Sequence, residues 1–185
     1  MNKVKLTEEK YNEGKIMELK EVLLKRRSVR KFTEQKVTKE EIDELLHAAM
    51  SGPSACNRTP WDFYVVTNSD KLDELRKTAM FTNMNAPLAV VVCGTLSRAL
   101  PLKRKEYWIQ DCSAATENIL LRAVDLSLGA VWCGIHPQKS AVEKLLKTLN
   151  LPENCVPLNI IWIGHPAEDP EPRDQYNEKY IHIIE

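Results

Sequence analysis

A single domain that mixes helices with strands is what this sequence predicts, on three observations. The chain has 185 residues, the length of one domain. Hydrophobic residues make up 43% of it, enough to bury a sizeable core. Apolar residues also recur in two distinct patterns. Ile42, Leu45, Leu46 and Ala49 follow helical spacing, whereas residues 88–94 form a short continuous run. No internal repeat, low-complexity segment or linker divides the chain.

The elements follow in order. Residues 1–15 are polar, with scattered apolar side chains, and read as an N-terminal arm or the start of the first helix. That helix is expected over residues 16–27, with Ile16, Leu19, Val22 and Leu23 on one face. It ends in Arg26-Arg27-Ser28-Val29-Arg30-Lys31-Phe32, a run of cations around one hydroxyl. Thr38-Lys39-Glu40-Glu41 matches a capping box, in which Thr38 caps the helix and Glu41 reaches back. Ile42, Leu45, Leu46, Ala49 and Met50 continue that helix until Gly52-Pro53 ends it. Pro53-Ser54-Ala55-Cys56-Asn57-Arg58-Thr59-Pro60-Trp61 reads as an ordered loop, in which Asn57 bonding its own backbone is the plain alternative to a ligand role. Residues 63–67 read as a strand. Asn68-Ser69-Asp70 caps a short helix with Leu72, Leu75 and Ala79 inward, and residues 80–86 look irregular. The β-branched run at 88–94 is expected as a central strand buried on both faces.

A long helix is expected from about residue 108 to 128, with Ile109, Cys112, Thr116, Ile119, Leu120 and Ala123 on its apolar face. Gly129 is expected to stop it in left-handed geometry. Residues 130–135 read as a strand running into a turn. Ser140-Ala141-Val142-Glu143 reads as a second capping box, opening a helix with Val142, Leu145, Leu146 and Leu149 inward. Residues 158–163 give the last long strand. Pro166, Pro170 and Pro172 then sit in charge-rich company, which predicts an extended excursion over a surface. Tyr180-Ile181-His182-Ile183-Ile184 closes with strand character and no obvious partner nearby in sequence, so pairing with the sheet of another subunit is open to it.

Charge and cysteine usage narrow the function. Lys+Arg and Asp+Glu number 26 each, so nothing favours nucleic acid as a partner. The cationic run is local, which suits a small anionic ligand better than a polyanion. Taken alone, it reads first as a solvated basic end complementing a helix C-terminus. Its guanidinium forks and its hydroxyl also suit a phosphate. The five cysteines are odd in number and form no Cys-x-x-Cys pair, so neither a disulfide framework nor a zinc site is indicated. Cys93, Cys112 and Cys133 lie in apolar patterns where buried free thiols are the default. His47, His136, His165 and His182 show no ligand spacing, and no metal is expected. No signal-peptide pattern opens the chain and no apolar run reaches membrane-spanning length, so a cytoplasmic, reducing compartment is expected and no membrane partner.

Five segments together resemble the nitroreductase family of FMN-dependent oxidoreductases. They are Arg26-Arg27-Ser28-Val29-Arg30, the loop from Pro53 to Trp61, Trp108-Ile109-Gln110-Asp111, Leu128-Gly129-Ala130-Val131-Trp132-Cys133-Gly134-Ile135, and Ile163-Gly164-His165-Pro166 with Pro172-Arg173. The likeness runs from about residue 16 to 185. It implies an α+β fold with a central, mostly antiparallel sheet flanked by helices. It also implies an intertwined homodimer with two FMN sites at the subunit interface. A C-terminal arm of about 165–185 would reach across the partner subunit.

The resemblance carries roles onto matching residues. Arg26 and Ser28 look like phosphate and ribityl contacts, with Arg27 at a more variable position. Arg30 is similar to the cation beside the flavin's pyrimidine edge, where reduction leaves negative charge. Arg173 resembles a second phosphate clamp; the family often has another basic residue two positions later, where this chain has Gln175. Pro53, Ser54, Ala55 and Asn57 would pack on the isoalloxazine from the partner chain. Trp132, Cys133 and Gly134 would place backbone against its other side, with Cys133 packing rather than reacting. Asn83 or Asn85 would reach the flavin carbonyl edge. Tyr107 and Trp108 would line the substrate opening, or Trp108 would anchor the long helix in the core.

The implied activity is a ping-pong reaction with NADH or NADPH as donor and nitroaromatics or quinones as acceptors. No general acid, base or nucleophile is assigned, because the flavin carries the chemistry. As a short member with little room for a covering insertion after residue 94, the chain is expected to have an open site. Reductive dehalogenation on the same fold, a flavin-storing or flavin-sensing dimer, and a non-flavin interaction protein are the alternatives.

Overall fold

Why the chain layers as it does is clearest along its two central strands. The computed structural model describes residues 17–185, so the expected arm over residues 1–15 lies outside the described residues. Four strands form one sheet: β1 (Trp61–Val66), β2 (Leu88–Thr95), β3 (Gly129–Gly134) and β4 (Cys155–Gly164). Their order is β1-β2-β4-β3, and every neighbouring pair is antiparallel. Five helices surround the sheet: α1 (Leu19–Lys25), α2 (Lys39–Met50), α3 (Ser69–Arg76), α4 (Tyr107–Asp125) and α5 (Lys139–Thr148). The fold is α+β with a central antiparallel sheet, as expected.

Side chains alternate across each strand, so β2 and β4 feed two cores. Ala89, Val91, Cys93, Ile160 and Trp162 point into one, shared with Leu72 and Leu75 of α3 and Ala141 and Leu145 of α5. Leu88, Val90, Val92, Ile161 and Ile163 point into the other, with Cys112, Ala115, Ile119 and Ala123 of α4. α4 is in turn covered by α2 and α1. Trp162 and Ile161 are wholly buried, and removing such a side chain costs about 2–5 kcal/mol. Trp108 is buried as a core anchor, not at an opening. A Cβ on Gly94 of β2 would fall inside its indole, so only glycine lets α4 sit this close.

The Thr38 capping box forms with both reciprocal bonds: Glu41 N–H to Thr38 Oγ1 at 3.2 Å, and Thr38 N–H to Glu41 Oε2 at 2.7 Å. Asn68 caps α3 by accepting from the Lys71 N–H at 3.0 Å. β2 is buried along its whole length.

Several expectations need correction. α1 is shorter than residues 16–27, and only Val22 of its apolar residues is buried; Leu19 and Leu23 face outward. β1 begins at Trp61, earlier than expected, because the Pro60 carbonyl already accepts a hydrogen bond from Thr95. α3 ends at Arg76, so Ala79 lies in the turn beyond it. Gly129 does not stop α4. Ser127 takes the left-handed conformation (φ 58°), and the Leu128 and Ser127 N–H groups bond the Ala123 and Val124 carbonyls at 2.7 and 2.9 Å, which is a Schellman end. Ser140 is no cap: α5 starts after Gln138, whose carbonyl accepts from Ala141 and Val142, so Ser140 already lies in the first turn. No strand forms at 180–184 in the single chain; Glu178–Tyr180 is a 3₁₀ turn, and Ile183 and Ile184 are exposed.

Candidate functional site

The cationic run is held as an extended segment between β3 and the strap that leaves β4. On one side Ser28 bridges Ala130, and the Val29 N–H donates to the Ala130 carbonyl at 3.0 Å. Val29 lies so close to Gly129 that a Cβ there would stand 2.7 Å from its side chain. On the other side Phe32 pairs with Pro166, the Thr33 N–H donates to His165 O and the Ala167 N–H to Lys31 O, both at 2.9 Å. Buried Phe32 is fixed a third time by Asn85, whose side chain accepts from its N–H at 3.1 Å and donates to its carbonyl at 2.8 Å.

The strap closes one cleft of about 460 Å³ against this segment. Arg26, Arg27, Ser28 and Arg30 line one wall, and Arg173, Asp174 and Gln175 the other. The Arg173 N–H donates to Leu24 O at 3.0 Å, and Arg27 Nη1 donates to the Glu171 carbonyl. Arg26 pairs with Glu117 at 3.5 Å; burial raises the Glu117 carboxyl above its usual range, and Arg26 pulls it back in part. Four guanidinium groups against two carboxylates, Asp174 on the wall and Glu117 behind Arg26, make this cleft an anion site in chemical character.

A second cleft of about 350 Å³ adjoins it, and Arg30 lines both. Its floor is β3, through Val131, Trp132 and Cys133; its rim is the irregular stretch carrying Met80, Phe81, Asn83 and Met84. That rim is clasped from behind by Arg76. Arg76 Nε donates to Met84 O at 2.7 Å, Nη2 to Ala86 O at 3.2 Å, and its guanidinium stacks over Trp162 at 5.6 Å. Cys133 donates to Phe81 O at 3.4 Å. Burial pushes its thiol up to about 11, against a smaller opposing pull from Arg30, so it is a packed and protonated group at neutral pH.

Nine of the thirteen predicted positions can be placed against these clefts or beside them. Arg26, Arg27, Ser28, Arg30 and Arg173 come together in the first, and Arg30, Asn83, Trp132 and Cys133 in the second. Of the two candidate asparagines, Asn83 faces the cleft and Asn85 is a structural pin. Gly134 ends β3 beside them, exposed, with open space where a Cβ would be. Pro53, Ser54, Ala55 and Asn57 line neither cleft of the same chain. Their loop is nonetheless rigidly built. Buried Asp111 of α4 accepts the Ala55 N–H at 2.8 Å, Ser54 Oγ accepts the Thr59 N–H at 2.9 Å, and Cys56 and Asn57 hold φ of 51° and 52°. Sequence reasoning gave no role to Asp111, Arg76 or Glu168: Asp111 and Glu168 grip backbone far away in the chain, at Ala55 and at Arg30, and Arg76 grips the backbone of Met84 and Ala86.

The nitroreductase family model matches residues 23–83 and 79–165. The chain belongs to the nitroreductase family. A protein of Methanothermobacter thermautotrophicus, provisionally named an NADH dehydrogenase/NAD(P)H nitroreductase, is 40% identical over 175 residues, spanning 92% of this chain and 90% of its own. Among solved structures, a nitroreductase-family protein of the same provisional name from Parabacteroides distasonis superposes with a TM-score of 0.84 at 38% identity, covering 89% of this chain and 96% of its own. An FMN-dependent nitroreductase from Clostridium difficile superposes with a TM-score of 0.81 at 30% identity, covering 89% and 98%. Among the described residues no group of three or more His, Cys, Asp or Glu is placed to hold a metal, and no helix is long and apolar enough to cross a membrane.

Proposed function

We propose that this nitroreductase-family protein is an FMN-dependent NAD(P)H oxidoreductase that works as a homodimer with two interfacial sites. The observation that carries this is the pair of adjoining clefts meeting at Arg30, one cationic and one floored by β3. Their chemistry fits the two ends of FMN. Arg26, Ser28 and Arg173 hold the phosphate and ribityl chain, with Arg27 beside them. Asn83 and Arg30 would meet the polar edge of the ring system, and Trp132, Cys133 and Gly134 would back it. Gln175 in place of a further cation leaves the phosphate fewer charges. Pro53, Ser54, Ala55 and Asn57 stand clear of both clefts, as a loop serving the site of a second copy would.

When bound, FMN would supply two-electron redox chemistry between NADH or NADPH and an acceptor. The protein's share is orientation and electrostatics. Arg30 would stabilise negative charge developing on the ring edge. Nitroaromatics and quinones suit such a site. Between β2 and α4 the chain forms only turns and a short 3₁₀ helix (Leu102–Arg104), which supports a permissive opening.

Anaerobic stopped-flow absorbance of the FMN-loaded protein tests this. NADH or NADPH is expected to bleach the oxidised flavin band, and a nitroaromatic or quinone to restore it. If FMN binds but neither nucleotide bleaches it, the protein is a flavin binder or takes electrons from another donor.

A further inference from the structure

Glu168, on the strap after β4, sits behind the residue where the two clefts meet. One of its carboxylate oxygens, Oε1, accepts the Arg30 N–H at 2.6 Å and the Lys31 N–H at 3.3 Å. The strap locks in register beside it, through the Ala167 N–H on Lys31 O. Among the described residues, the Arg30 guanidinium makes only a long hydrogen bond of its own, from Nη1 to Ser28 O at 3.4 Å. Its direction is therefore set mainly by where its backbone is held.

We propose that Glu168 is a positioning residue, whose carboxylate clamps the backbone of Arg30 and Lys31 and so aims the Arg30 guanidinium at a bound flavin. The proposal rests on FMN occupying the two clefts. The choice of backbone as partner matters chemically. A carboxylate paired with the guanidinium itself would neutralise the charge the ligand needs. Gripping the N–H groups instead fixes the backbone through an acceptor oxygen at the right reach and leaves the guanidinium open. The two backbone bonds, with Lys31 and Arg30 nearby, hold the Glu168 carboxyl below its usual range, so it is ionised at neutral pH.

Three variants of the full chain separate reach from charge. Glu168→Gln keeps an acceptor oxygen at the same reach and loses the charge. Glu168→Asp keeps the charge and is shorter by one methylene. Glu168→Ala loses both. FMN affinity is read by quenching of flavin fluorescence, and ligand-free thermal midpoints are taken alongside. A clamp predicts that Ala and Asp weaken FMN about ten-fold while Gln stays within about three-fold of the parent, at similar midpoints. If Asp preserves affinity and Gln does not, the charge matters and not the clamp, and the proposal falls. It falls equally if all three bind like the parent, or if affinity merely follows a loss of ligand-free stability. A parent protein that binds no FMN overturns the cofactor assignment and the Glu168 role with it. A parent that binds FMN beside unaffected variants overturns the Glu168 role alone.

Discussion

Arg30 is the side chain that both clefts share. Arg30→Ala is expected to weaken FMN by about ten- to a hundred-fold, the range for losing a hydrogen bond to a charged group, as measured by flavin titration. Arg30→Lys is expected to recover only part, because an ammonium offers a point charge in place of a planar fork. Cys133 yields a second expectation. Its thiol is raised from 9.0 to about 11 and that of Cys112 to about 12, both chiefly by burial. Between pH 9 and 11 the unfolded chain loses these protons and the folded chain keeps them. Stability is therefore expected to fall as pH rises above 9, and Cys133→Ser with Cys112→Ala to flatten that slope in urea melts. Alkylation of Cys133 at pH 7.5, followed by mass spectrometry, is expected to be slow; a rate like that of an open thiol would contradict its burial. The arginines were legible in the sequence because a basic run with serine is visible locally. Glu168 was not, since the strap around it is rich in charge and nothing nearby shows which carboxylate turns inward.

Local signals were read with mixed success, since the Thr38 box formed and the Ser140 box did not. The Thr38 box needs only residues 38 and 41, and both of its bonds form. The Gly129 cap failed for a reason that the sequence hides: the glycine is required by Val29, a hundred residues away, and the helix turns at Ser127 instead. This makes a paired prediction. Ser127→Gly is expected to be neutral or to stabilise by up to about 1 kcal/mol, since glycine suits a left-handed residue. Gly129→Ala is expected to cost about 1–3 kcal/mol by pushing Val29 off β3. Thermal or urea unfolding reads both, and the reverse ranking would restore Gly129 as the cap. Disturbing Val29 also disturbs its neighbour Ser28, so Gly129→Ala is expected to loosen the anion cleft as well.

At the scale of the molecule, the continuous apolar run of β2 announced burial on both faces, and its even alternation between two cores follows from the pleat. Strand order and the meeting of the two clefts were not legible, because they depend on contacts between distant segments. The outward side chains of the described chain also form a pattern: Leu19, Leu23, Met50, Tyr180, Ile181, Ile183 and Ile184 are all exposed. If these side chains seal the proposed homodimer, removing residues 181–185 is expected to shift it toward monomer in size-exclusion with light scattering, and to weaken FMN binding in parallel. A truncated protein that stays dimeric would place the interface elsewhere. The strap has one more consequence, for folding. Its bonds to the cationic run join residues 138 and 144 positions apart, Arg30 to Glu168 and Arg27 to Glu171. Until the strap that follows β4 is made and docked, the anion cleft has only one wall. Binding at the proposed flavin site is therefore expected to need a docked strap, so that flavin retention reports on the folding of a segment remote in sequence from the arginines.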